Sequence, residues 1–236
     1  SDLTGQIYNE IRELKKYKGK IVYTKKEKFS SSKLLNQSSF SQISEHQKLI
    51  SQIKKKYNFL DIQKIFKKIS KLKVLVIGEI IIDDYIFCEA LGKSGKEPVL
   101  ALKKKDEEKY LGGAGAISNH VSNFTKNVKL LGMVGEKNEF KKFIMLNLNK
   151  NIKVDFFTKK NSPTILKKRF LDSVTLNKML GVYEIEDNSL SEPQEKKLRK
   201  KILSLLPKFD VVIVSDYGHG FISSKNSNLI NKHASF

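Results

Sequence analysis

Three short stretches of this sequence carry residue types that could act on a polar ligand. In Gly78-Glu79-Ile80-Ile81-Ile82-Asp83-Asp84, an apolar run meets a glycine and an acidic pair follows five residues later. In open α/β sheets ligands bind outside the carboxyl ends of strands, and a carboxylate there accepts hydrogen bonds from hydroxyl groups. A turn or helix-capping aspartate is the competing reading. Leu111-Gly112-Gly113-Ala114-Gly115-Ala116 leads into a helical pattern. Small residues let backbone N–H groups approach a ligand, and a helix N-terminus favours anions and polar oxygens; tight helix–sheet packing would ask for the same residues. Lys167 and Arg169 stand two apart, on one face of a strand. They suit a phosphate, which arginine grips with a planar fork, or they mark a solvated basic edge strand.

Other chemistries find no support. Gly92-Lys93-Ser94 resembles the end of a P-loop, but Phe87 stands where that loop needs its first glycine. The glycine stretch is no dinucleotide fingerprint, because Ser118 takes the third glycine position and the stretch does not directly follow the first strand. His46, His120, His219 and His233 lack metal-ligand spacing, and Cys88 is the single cysteine. No metal site is expected.

The elements that must position these residues change character along the chain. Residues 1–36 read as a short helix (5–17), a turn, a strand (20–24) and a Ser-rich stop, and 37–72 as a polar linker followed by helical pattern. Phe59, Leu60, Ile62, Ile65, Phe66 and Ile69 have amphipathic spacing. From Lys73 strands alternate with helices. Val74–Ile77 is a continuous apolar, mostly β-branched run expected to be covered on both faces. Val128–Val134 and Val211–Val214 read as further buried strands, the latter followed by the polar cluster Ser215-Asp216-Tyr217-Gly218. Residues 154–157 read as extended, and 114–124, 140–149 and 192–206 as helices. Pro98–Lys103 and Ile165–Leu171 alternate as half-exposed antiparallel strands do, and predict a separate small sheet. This βαβ rhythm predicts a mainly parallel sheet between helices.

The 236 residues carry a formal charge of +20, which raises the question of a polyanion partner. Residues 1–72 hold 17 Lys+Arg against 6 Asp+Glu, so much of the excess lies outside the alternating region. The lysine clusters fall on the wet side of amphipathic patterns, and arginine, the usual base reader, is nearly absent. Composition therefore weighs against nucleic-acid binding. No apolar run reaches the roughly 18–20 residues of a membrane span, no signal peptide is visible, and a lone cysteine fits a cytosolic protein.

Seven stretches together resemble the ribokinase/PfkB family of carbohydrate kinases, most closely the heptose-7-phosphate kinase domain of bifunctional bacterial heptose kinase/adenylyltransferases. They are VLVIGEIIIDDY (74–85), EPVLALKK (97–104), YLGGAGAISNHVSNF (110–124), VKLLGMVGE (128–136), NIKVDFF (151–157), PTILKKRFL (163–171) and VVIVSDYGHGFIS (211–223), in the family's order and spacing. The resemblance implies a doubly wound, mainly parallel α/β core with a small antiparallel β lid, drawn from 86–104 and 165–183, over a sugar. Asp83 matches the aspartate that contacts sugar hydroxyls, Gly112 and Gly113 the glycine pair lining that pocket, and Lys167 and Arg169 the lid's basic pair. Asp216 lies in a turn facing the cleft. ATP and Mg²⁺ are the implied cofactors, a sugar or sugar phosphate the implied substrate, and lid-mediated homodimers are common in the family.

Three positions depart from the family pattern. Ala116 replaces a usual sugar-binding asparagine, Glu79 a usual aspartate and His219 a usual lysine. The family's GAGD-type segment, which supplies the catalytic base and an anion hole, and the nucleotide-binding strands lie downstream of Phe236. Residues 73–236 are thus expected to be the N-terminal part of an incomplete kinase domain, with no catalytic residue and no turnover of their own. Lys20–Asn36 is similar to the last strand and tail of cytidylyltransferase-like domains, which some relatives fuse to such kinases, giving segments 1–36, 37–72 and 73–236. The alternatives are a non-catalytic sugar- or nucleotide-sensing module, suggested by Ala116 and His219, and a basic nucleic-acid-binding protein.

Overall fold

A computed structural model describes residues 11–13, 15–17, 43–95, 97–137 and 139–234. The strand, turn and tail expected within 18–36 lie outside the described residues. Contacts divide the chain into residues 1–58 and 59–236. In the first unit, helix α1 (Ile43–Lys56) ends on Lys54, Lys55 and Lys56, cations placed where the helix dipole favours them.

The second unit opens with α2 (Phe59–Ile69), which has Asp61 in its first turn and Lys67 and Lys68 in its last. Strand β1 (Lys73–Lys93) then runs for 21 residues, followed by β2 (Leu100–Gly112) and α3 (Gly113–Ser122). Next come β3 (Asn127–Gly135), α4 (Lys141–Asn147) and β4 (Ile152–Lys159). Strands β5 (Ile165–Asp172) and β6 (Lys178–Glu184) form a hairpin-like pair. Helix α5 (Glu192–Leu205), β7 (Val211–Ser215) and α6 (Ser224–His233) complete the order. No helix among the described residues is long and apolar enough to cross a membrane.

The first third of β1 belongs to a parallel core sheet of order β4-β3-β1-β7. Alternation along β1 divides the core. Leu75 and Ile77 pack with Leu131, Met133 and Phe157 beneath Leu198 and Ile202 of α5 and Ile230 of α6. Val74, Val76 and Ile80 pack with Leu130 and Val134 beneath Ala114 of α3 and Ile144 of α4. Helices thus cover both faces, as a doubly wound sheet requires.

Beyond Ile80 the same strand leaves the core sheet and pairs antiparallel with β2 and parallel with β5, which pairs antiparallel with β6. This is the lid, and it corrects two expectations. The lid is not a separate sheet, because β1 is continuous through both. Residues 165–171 are not purely antiparallel, because β5 enters from the core in the direction of β1. A third correction concerns β7: its burial is only intermediate, with Val214 40% exposed, since among the described residues it is the sheet's edge.

Candidate functional site

The site is written along one face of β1. At two residues per repeat, Leu75 and Ile77 lie in the core, Glu79 and Ile81 follow where the sheets diverge, and Asp83 and Tyr85 reach the lid. Asp84, the second member of the acidic pair, points to the opposite face. It is buried and bonded to Lys109 Nζ at 3.2 Å. The sequence pair is therefore split, and only Asp83 lies on the face of β1 that meets Arg169.

Asp83 Oδ1 accepts a hydrogen bond from Arg169 on β5. In register, Lys167 pairs with Asp83, and Arg169 with Tyr85, so all four side chains share a face. The Arg169 guanidinium lies 5.4 Å from the Tyr85 ring and 5.8 Å from that of Tyr183 on β6, and these contacts hold it in place. Burial works against its charge, but the Asp83 carboxylate more than offsets this and leaves its pKa raised. Gly112, at the end of β2, packs against the same carboxylate: a Cβ there would run into Asp83 Oδ2. Gly113 begins α3 with φ +56°, its Cα close above the Glu79 carbonyl. The acid and the glycine pair thus converge, joined to Arg169 across three strands.

Lys167, although paired with Asp83 in register, brings its ammonium to the loop after β7, and Asp216 lies in that loop. Lys167 Nζ lies 3.2 Å from His219 Nε2. Asp216 is exposed, and its Oδ1 accepts the Gly218 N–H at 3.0 Å, closing the turn after β7. The turn is tied to the sheet by Glu79, which is fully buried. Its carboxylate accepts the backbone N–H groups of Tyr217 (2.8 Å) and His219 (3.2 Å). Lys159 Nζ, also buried, donates to the carbonyls of Glu186 (2.5 Å) and His219 (3.0 Å). Burial holds its pKa below the ordinary lysine value, despite nearby carboxylates.

The sequence marks Glu79 only as a departure from a pattern, and gives no sign of Lys159, of Asp187, whose Oδ1 lies 2.7 Å from His219 Nδ1, or of the stacking role of Tyr85 and Tyr183. Glu79 was detectable, since it stands four residues before Asp83 and so on the same strand face. Asp187 had no local signal.

Burial raises the Glu79 pKa above 4.5, with Asp216 adding to the rise, while the bonds from Tyr217 and His219 oppose it. A carboxyl whose folded pKa is raised contributes most stability below its unfolded pKa and loses it as pH rises through the folded value. Relative to Glu79→Gln, the native chain is therefore expected to lose ground as pH rises from about 4.5. Urea midpoints of both proteins across pH check this; a native chain that gains stability on Glu79→Gln as pH rises contradicts it.

Among the described residues, no group of three or more His, Cys, Asp and Glu is placed to hold a metal. At the opposite, amino ends of the core strands, Lys73, Lys126, Lys129, Lys153 and Lys208 line a concavity of about 220 Å³. It contains no carboxylate or imidazole for acid–base work.

No family model matches the chain. The chain is 32% identical over 170 residues to the Bifunctional protein HldE of Helicobacter pylori (strain G27), covering 68% of this chain and 35% of that protein. Identity to the Bifunctional protein HldE of Campylobacter jejuni subsp. doylei (strain ATCC BAA-1458 / RM4099 / 269.97) is 30% over 168 residues, covering 70% and 34%. The chain therefore spans about a third of the length of the curated relatives it matches. Among solved structures, phosphofructokinase-2 from Escherichia coli in complex with fructose-6-phosphate superposes with a TM-score of 0.50 at 10% identity, covering 70% of this chain and 53% of that one.

Proposed function

We propose that this chain, a relative of the HldE proteins with a ribokinase-like fold, carries the sugar-recognising part of a carbohydrate kinase. The parent protein would transfer the γ-phosphoryl group of ATP to a hydroxyl of a sugar phosphate of the heptose class. One observation carries the reading: Asp83, Gly112 and Arg169 meet between the carboxyl end of the core strands and the lid. There a carboxylate acceptor for sugar hydroxyls stands beside cations suited to a phosphate; to the same site we assign Lys167, the register partner of Asp83, and Asp216. Gly113 adds a backbone that approaches closely because no side chain intervenes.

ATP and Mg²⁺ enter this reading from the relatives. The segment map of 1–36, 37–72 and 73–236 and a cytoplasmic location belong to the same proposal. So does a homodimer through the lid, which is supported by the exposure of Leu100, Leu180 and Val182. A sensing module that binds without turnover is favoured by Ala116, which brings no hydrogen-bonding side chain to α3.

Calorimetric titration with a heptose 7-phosphate and with the unphosphorylated heptose tests the proposal. Saturable binding is expected, tighter for the phosphorylated sugar and weakened by Asp83→Asn. Absence of binding, or binding indifferent to Asp83→Asn, removes the reading.

A further inference from the structure

His219 is held at four points. Its N–H donates to Glu79 Oε1 at 3.2 Å and its carbonyl accepts from Lys159 Nζ at 3.0 Å. Its ring Nδ1 lies 2.7 Å from Asp187 Oδ1, and its Nε2 lies 3.2 Å from Lys167 Nζ. The residue is 8% exposed, so water does not compete freely for its ring. The flanking turn makes this possible: Gly220, at φ +79°, packs under the carbonyls of Asp187 and Asn188, where a Cβ would collide.

The ring contacts fit one hydrogen-bonding pattern. A carboxylate accepts and an ammonium donates. Nδ1 must therefore carry the hydrogen that Asp187 receives, and Nε2 must offer the lone pair that Lys167 Nζ fills. An imidazolium would aim an N–H at the ammonium.

We infer that Asp187 and His219 form a positioning pair that aims the Lys167 ammonium into the lid cleft as an anion-binding group. The inference rests on the proposed sugar site only for the identity of the anion, the phosphate of a phosphorylated sugar. Lys167 is otherwise a flexible stem ending in a point charge. A bond to a fixed, buried acceptor removes much of that freedom before the ligand arrives, which is how preorganisation raises affinity. Asp216, Glu79 and Lys159 are charged groups of the same loop and its anchors. They hold the loop backbone or close its turn rather than touching Nδ1 or Nε2.

Long-range proton–nitrogen correlation spectra of the whole chain, with inorganic phosphate as the probe, test this. The native protein should show His219 as the Nδ1–H tautomer, and phosphate should shift the Lys167 Nζ and His219 signals saturably. Asp187→Ala should lose the tautomer preference and weaken phosphate binding at those signals about fivefold, the scale of one hydrogen bond. Asp187→Asn, whose amide oxygen can still accept from Nδ1–H, should restore most of both. Asp187 is 69% exposed in its side chain, so neither change threatens the fold. An Nε2–H tautomer in the native protein, or phosphate binding unchanged by Asp187→Ala, overturns the inference. If Asp83→Asn leaves sugar phosphate binding intact while the tautomer and Lys167 results hold, the sugar reading fails and the positioning pair stands.

Discussion

Asp83→Ala is expected to weaken binding of a phosphorylated sugar by about 100-fold. Hydrogen bonds to a charged acceptor contribute roughly 1.5–3 kcal/mol each, and two sugar hydroxyls on one carboxylate would supply about 3 kcal/mol, a factor of about 150. Arg169 moderates the figure, because its guanidinium already donates to Asp83 Oδ1 and the sugar must share that acceptor. Removing the carboxylate also leaves Arg169, 16% exposed and set beside Tyr85 and Tyr183, without its counter-charge. A fall in stability of about 1–2 kcal/mol should therefore accompany the lost affinity, less than for a fully buried pair broken on one side. Asp83→Asn keeps the shape and one acceptor oxygen, so it should recover part of the affinity. Titration calorimetry and urea denaturation on the same samples separate the two effects. Unchanged affinity in Asp83→Ala would show that the carboxylate does not receive the sugar.

The second large effect is on the fold. Gly113→Ala should lower stability by about 3 kcal/mol. At φ +56° a side chain costs about 1–2 kcal/mol for the left-handed conformation alone. The added methyl also meets the Glu79 carbonyl and the Ile81 side chain, and the first of these is backbone that cannot rotate away. Overpacking of that kind adds about 1–3 kcal/mol. For a unit of this size, the midpoint of thermal unfolding should drop by roughly 9 °C. Gly112→Ala meets instead the Asp83 carboxylate, the end of a side chain. It should disturb the site more than the fold. A Gly113→Ala protein as stable as the native one would mean that β2 and α3 join differently from the arrangement described.

The two glycines also show how far local signals reach. Their smallness was readable, but the sequence assigned it equally to ligand approach and to helix packing. The structure divides the roles: Gly112 lies against the Asp83 carboxylate and Gly113 against the Glu79 backbone. Asp83 and Asp84 looked like one acidic pair, and strand alternation sends one to Arg169 and the other to a buried contact with Lys109. Ile165–Leu171 was legible as a strand, but its direction relative to β1 was not. A strand's own residues record burial, while its partner is chosen by chain hundreds of atoms away.

Sequence alone determined the alternation of strands and helices, the buried run opening β1, the positions of Gly112, Gly113, Lys167 and Arg169 on their elements, and the family those stretches resemble; Asp83, expected beyond the end of that strand, lies within it, because β1 runs on to Lys93. These depend on backbone periodicity and residue size, which act over a few neighbouring positions. Tertiary structure alone decided that β1 serves two sheets, that Glu79 and Lys159 pin the loop after β7, and that Asp187 reaches His219. Those are contacts between segments 32 to 140 residues apart. Such contacts form only when packing the core brings the segments together, so no neighbouring residue announces them.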